Sequence, residues 1–146
     1  MKWIKNVVIK LGQKHKTTDP FELASLLSIE VVPWDLHKEI RGFYKYDKRN
    51  KFIFINSNLN WEIQRFVCAH ELGHALLHPR SNTPFYREKT LFSIEKIEVE
   101  ANSFAVELLM PDEILTGFNH TNLSLDEIGE ICGIPKGFSQ LKEIEN

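Results

Sequence analysis

The spacing of apolar positions changes several times along the chain, and each change marks an element. Trp3, Ile4, Val7, Val8 and Leu11 recur at helical spacing, with Gly12 as a plausible stop. Asp19 and Pro20 then read as an N-cap and a proline at the first helical position, opening a second helix through Phe21, Leu23, Leu26 and Leu27. Residues 29–32 are short, β-branched and ended by Pro33, which predicts a strand. Residues 42–46 and 51–56 are rich in aromatic and β-branched side chains, and 47–50 between them predict a hairpin with a four-residue loop. Phe52, Ile53, Phe54 and Ile55 are continuously apolar, as in a strand covered on both faces.

From residue 60 the period becomes 3.6. Asn60 can cap a helix, Glu62 suits its first turn, and Pro79 limits it to about His78. Residues 81–93 mix polar residues, proline and aromatics, and read as a loop able to border a site. A second strong helix spans about 94–110 and stops at Pro111. Two short helical patterns flank Gly133-Ile134-Pro135 in a tail that runs from 123 to 146. The expected architecture is α+β and one domain over residues 1–146. Two N-terminal helices precede a small three-stranded sheet, the sheet packs on a pair of long helices, and short helices close the chain.

Chemistry concentrates on the two long helices. His70-Glu71-Leu72-Gly73-His74 puts two imidazoles one turn apart on the same helical face, where both can reach one metal ion; this is why the spacing is a zinc signature. Glu71 is rotated by about 100° from His70, so it is placed for a water beside the metal rather than for the metal itself, as a general base. Ile63, Phe66, Val67, His70, His74 and Leu77 form one stripe, which turns both histidines toward the core, and buried imidazoles need partners.

A catalytic zinc needs a third protein ligand and an open position. The inward stripe of the second helix runs Ile94, Ile97, Glu98, Ala101, Phe104, Ala105, Leu108, with Glu98 the acid on it. Glu95, one turn earlier, competes for the role, and Glu100, about 200° round, should face solvent. Asn102 is placed to accept from a histidine N–H and so support a ligand. Ala101 and Ala105 are small enough to let the two helices approach closely.

Two stretches together carry a family resemblance. Phe66-Val-Cys-Ala-His-Glu-Leu-Gly-His-Ala-Leu-Leu-His78 and Glu98-Val-Glu-Ala-Asn-Ser-Phe-Ala-Val-Glu-Leu-Leu-Met-Pro111 resemble the ImmA/IrrE family of metallopeptidases over about residues 40–115. The resemblance implies that Glu98 is the third zinc ligand. It also implies a short phage or mobile-element type of protein that cleaves a partner repressor of the helix-turn-helix class, without the C-terminal sensor domain of larger members.

Composition narrows the setting. Apolar residues at 42%, charged residues at 26% and a formal charge of −2 suit a soluble globular chain with no global attraction to nucleic acid or anionic membrane. No stretch approaches the roughly 18 apolar residues of a spanning helix. Cys68 and Cys132 lack a paired spacing, which suits a reducing compartment, and a cytoplasmic location is expected. Five lysines and no acid in the first eighteen residues predict a solvated helix face. His78 lies too far from His70 to share its ion and reads as a C-terminal cation or hydrogen-bonding residue. His15, His37 and His120 read as surface residues, Cys68 as a core thiol, and Tyr86 as a packing aromatic or an oxyanion donor.

Two other functions compete. Residues 125–141 resemble a helix-turn-helix half, as in a DNA-binding regulator, but residues 123–146 hold five acids against two lysines where a groove-reading helix should be basic. A docking role suits this tail better. The second alternative is a zinc-binding interaction module with little proteolytic activity, against which the intact Glu71 speaks.

Overall fold

The computed structural model describes residues 1–81, 84–86 and 95–145, the side chains of 84–86 excepted. In chain order the elements are helices α1 (Lys2–His15) and α2 (Pro20–Leu26), strands β1 (Ile29–Trp34), β2 (Ile40–Asp47) and β3 (Asn50–Asn56), helix α3 (Trp61–Leu77), strand β4 (Pro84–Tyr86), and helices α4 (Lys96–Leu109), α5 (Asp112–Gly117) and α6 (Leu125–Ile131), then a 3₁₀ turn at Ser139–Leu141. The fold is α+β, as expected.

Capping chemistry sets three helix starts. Asp19 Oδ1 accepts from the Phe21 N–H at 2.9 Å, and Asn60 Oδ1 accepts from the Ile63 N–H at 3.0 Å. Ser124 and Glu127 close a capping box on α6. Gly12 does not stop α1, which continues to His15 and ends where Lys16 turns left-handed at φ 57°.

The three expected strands form a mixed sheet, and Pro84–Tyr86, read from sequence as loop, adds a short fourth. The order is β1-β3-β2-β4, with β1 parallel to β3 and β2 antiparallel to both its neighbours. β1 continues through Pro33 because it is an edge strand, where a proline is tolerated. The hairpin turn has two residues rather than four: Asp47 pairs with Asn50, and Lys48 and Arg49 take φ of 48° and 69°. That is the primed-turn conformation that matches strand twist.

Alternation along β3 sends Ile53 and Ile55 into the core beneath α3. Phe54 faces the other way and stacks on Phe43 at 4.7 Å, with Trp34 edge-on and largely exposed. The second face of β3 is therefore only partly covered, where a full cover was expected.

Helix α4 packs on α3, on α1 and on the 3₁₀ turn, so nearly its whole circumference is buried. Close approach to α3 is enforced at Gly73, where an added Cβ would lie 3.1 Å from the Phe104 Cβ and 3.2 Å from the Ala101 Cα. The tail lies against this pair: Ile128, Ile134 and Phe138 are buried, and Phe138 stacks on Phe66 at 5.3 Å. The three-residue turn at Ser139–Leu141 stands where a recognition helix would have to be, and it is too short to read a major groove.

The lysine face of α1 is not wholly solvated. Lys5 is buried, pairs with Asp112 at 2.9 Å and donates to the Glu143 carbonyl at 2.9 Å. Lys142 in turn pairs with Glu107 at 2.6 Å and with Asp112 at 2.9 Å. Among the described residues no helix is long and apolar enough to cross a membrane.

Candidate metal centre

One turn of α3 separates His70 from His74, and their rings stand edge to face at 4.8 Å. Both Nε2 atoms point at Glu98 of α4: His70 Nε2 is 3.1 Å from Oε2, and His74 Nε2 is 3.0 Å from Oε1. Glu71 Oε2 lies 3.8 Å from His70 Nε2. All four side chains are buried. The structure thus brings together His70, His74, Glu98 and Glu71. Glu95, the competing acid, is exposed at the N-cap of α4.

The outer nitrogen of each imidazole is fixed from behind. His70 Nδ1 faces Asn102 Oδ1 at 2.7 Å, and since that oxygen can only accept, Nδ1 carries the proton. His74 Nδ1 lies 3.1 Å from His78 Nδ1, and His78 Nε2 lies 3.0 Å from Glu100 Oε1. The Glu100 carboxylate draws the His78 proton to Nε2, leaving His78 Nδ1 to accept from His74 Nδ1. In the neutral state both inward Nε2 atoms are lone pairs facing a carboxylate.

That state requires a cation. Burial lowers the His74 pKa, against the pull of Glu98, so this imidazole favours its neutral form. Burial alone would raise Glu98, but the His70 and His74 imidazoles at its two oxygens, where their Nε2 atoms carry protons, outweigh it and hold the carboxyl at about 2. Burial pushes Glu71 well above the ordinary range, with the Glu98 charge adding to the rise. The Tyr44 backbone N–H counters part of it, yet neither Glu71 oxygen closes a hydrogen bond among the described residues. Two imidazole nitrogens, an ionised carboxylate and a second carboxyl without a partner fit a divalent metal with an adjacent water.

Glu100 corrects the reading from periodicity. Its position on the helix predicts solvent, but α4 has almost no solvent face and His78 reaches across from the end of α3 to meet it. The signal that could have found this pair is the spacing of His78, one turn past His74. Cys68 is fully buried and its thiol is pushed up by that burial, as fits a core residue. His37 and His120 are exposed and His15 is half-buried. Tyr86 lies in β4, and its side chain is outside the described residues. The Tyr44 hydroxyl donates to the Pro79 carbonyl, which ties β2 to the exit of α3.

Two histidines and two carboxylates are thus gathered on a close-packed helix pair beneath a small sheet, an arrangement that could hold a metal ion. The chain belongs to the IrrE N-terminal-like domain family of peptidases, whose model matches residues 24–140. It is 57% identical over 141 residues to "Uncharacterized immunity region protein 2" of Bacillus phage phi105, spanning 97% of this chain and 89% of that one. It is 34% identical over 114 residues to "Metallopeptidase ImmA" of Bacillus subtilis (strain 168), spanning 78% and 67%. The match to "Radiation response metalloprotease IrrE" of Deinococcus deserti is 38% identical over 90 residues and spans only 32% of that protein.

Proposed function

We propose that this protein is a zinc-dependent, site-selective endopeptidase of the cytoplasm that cleaves a helix-turn-helix repressor of a phage or mobile element. The observation that carries the zinc reading is the convergence of His70 Nε2 and His74 Nε2 on Glu98 at 3.1 and 3.0 Å in a buried site. His70, His74 and Glu98 would hold the ion, which when bound supplies Lewis acidity that acidifies water and polarises a carbonyl. Glu71 takes the proton of the attacking water at its carboxylate and returns it to the leaving amine. Burial, which raises the affinity of Glu71 for a proton, suits it to this exchange.

The repressor reading is supported by the immunity-region name of the phage relative, read together with the peptidase family. Docking is proposed at two surfaces. The outer edge of β2 is paired with β4 at Ile40, Gly42 and Phe43. The sheet, whose Tyr44 main chain reaches Glu71, offers the first surface, where an extended substrate segment would add by main-chain hydrogen bonds. The acidic tail from 123 onward offers the second surface.

Metal analysis of the purified protein, then incubation with the helix-turn-helix protein encoded beside it and with unfolded casein, tests this. One zinc per chain and cleavage of one repressor bond with casein left intact are the expected results. Rapid, unselective digestion of casein would refute the selectivity while leaving the metal site standing.

A further inference from the structure

His78 and Glu100 have no place in the ligand set, yet the largely buried His78 side chain reaches the buried Glu100 carboxylate. We propose that His78 and Glu100 are positioning residues: together they fix the tautomer and ring orientation of His74 and so raise the metal affinity of the site. The inference rests on the metal-binding reading above and deepens it.

The geometry is a three-member chain, from His74 Nδ1 to His78 Nδ1 at 3.1 Å and from His78 Nε2 to Glu100 Oε1 at 3.0 Å. Two imidazole nitrogens facing each other bond only if one carries the proton and the other does not. Glu100 decides which, because a carboxylate accepts and so holds the His78 proton on Nε2. His78 Nδ1 then accepts, the proton of His74 sits on Nδ1, and Nε2 of His74 is left as the lone pair a metal needs. His70 reaches the same state with one partner, Asn102, at 2.7 Å. The two imidazoles are thus held by different devices built on one helix: α4 carries Glu98, Glu100 and Asn102 within five residues.

A capping role for His78 is supplied by its main chain alone, whose N–H donates to the His74 carbonyl at 2.7 Å. The side chain is free of that duty. Glu100 is buried, and retaining a carboxylate there costs desolvation unless its hydrogen bond does something in return. Partners of this kind behind a metal-bound imidazole typically change affinity by about 10–100-fold.

Zinc affinity of the full chain, measured by competition with a chromogenic chelator, tests this, with apo-protein melting as the control for folding. His78→Leu and Glu100→Leu should each weaken zinc by about 10–100-fold. The double variant should be no weaker than His78→Leu, because Glu100 acts only through His78. His78→Gln, which can accept from His74 and donate to Glu100, should recover most of the affinity, and it serves if the leucine variants fail to fold. The visible spectrum of the cobalt-substituted protein should shift in His78→Leu and return toward the parent in His78→Gln. Parent-like affinity in the folded His78 and Glu100 variants would overturn the proposal, as would additive losses in the double variant. Failure of the unmodified protein to take up zinc would instead overturn the metal reading, so the two failures are distinguishable.

Discussion

Helix α4 carries a buried charged cluster at each end, and the two are built on opposite plans. Toward its C-terminus Glu107 meets Lys142, Lys142 and Lys5 share Asp112, and two cations face two anions. Toward its N-terminus Glu98 and Glu71 sit with two imidazoles, and burial drives that of His74 toward neutrality. The first cluster closes its own charge and fastens α1, α4, α5 and the tail to one another. The second leaves negative charge unbalanced unless a cation enters. A buried charge that is paired within the chain is structural, and one that waits for a counter-charge marks a site.

Replacing Glu71 by glutamine separates chemistry from charge within the metal cluster. Size is kept and the base is lost, so repressor cleavage should fall by roughly 10²-fold or more, while zinc stays near one equivalent by metal analysis. Unchanged cleavage would remove Glu71 from its role.

Swapping charge for bulk at both ends sharpens the contrast. Glu98→Leu should lower zinc affinity by more than the roughly 100-fold upper range for a supporting residue, whereas the pair Glu107→Leu with Lys142→Met should leave zinc binding unchanged. Stability of that pair should be neutral or improved, since a buried ion pair is often replaceable by apolar residues. Loss of zinc from the Glu107/Lys142 variant would show that the clusters are not independent.

Glu107→Ala alone breaks the closed cluster and leaves the buried Lys142 with only the half-exposed Asp112 opposite it. Chemical denaturation should show a loss of up to about 3 kcal/mol, the lower end of the usual cost of removing one partner of a buried pair, since Asp112 still faces Lys142, with zinc stoichiometry of the folded fraction intact.

Acid should attack the two ends in sequence. The folded pKa of His74 is lowered, so the folded state resists a proton that the unfolded chain accepts; metal affinity and stability should decline as pH falls below about 6.5. Asp112 is likewise lowered, burial being outweighed by Lys142 and Lys5. Its contribution is complete above about 3.8 and lost as pH drops through its folded value. Because Asp112 is half exposed, Asp112→Asn should remove under about 1 kcal/mol, as for exposed pairs. Zinc release followed at lower pH by unfolding is the expected order in a combined metal and circular-dichroism titration, and simultaneous loss would contradict it.

Much of this was legible in the chain because it depends on local spacing. Asp19-Pro20 and Asn60 announce helix starts through side chains that reach backbone donors two or three residues away. The interval from His70 to His74 puts both imidazoles on one face through the helical repeat alone, and Glu98 on its apolar stripe points where the structure puts it. Tertiary contact decided the rest. Glu100 is buried because α4 is surrounded, a condition no single-helix periodicity contains. Lys5 finds Asp112 and the Glu143 carbonyl from distant parts of the chain. Strand β4 forms only because β2 offers it an edge, and its three residues carry too short a pattern to be recognised. Local geometry therefore determined which groups were available for a metal. Only packing determined which carboxylates were left unpaired to need one, because charge balance in a buried cluster is a sum over residues the sequence keeps far apart.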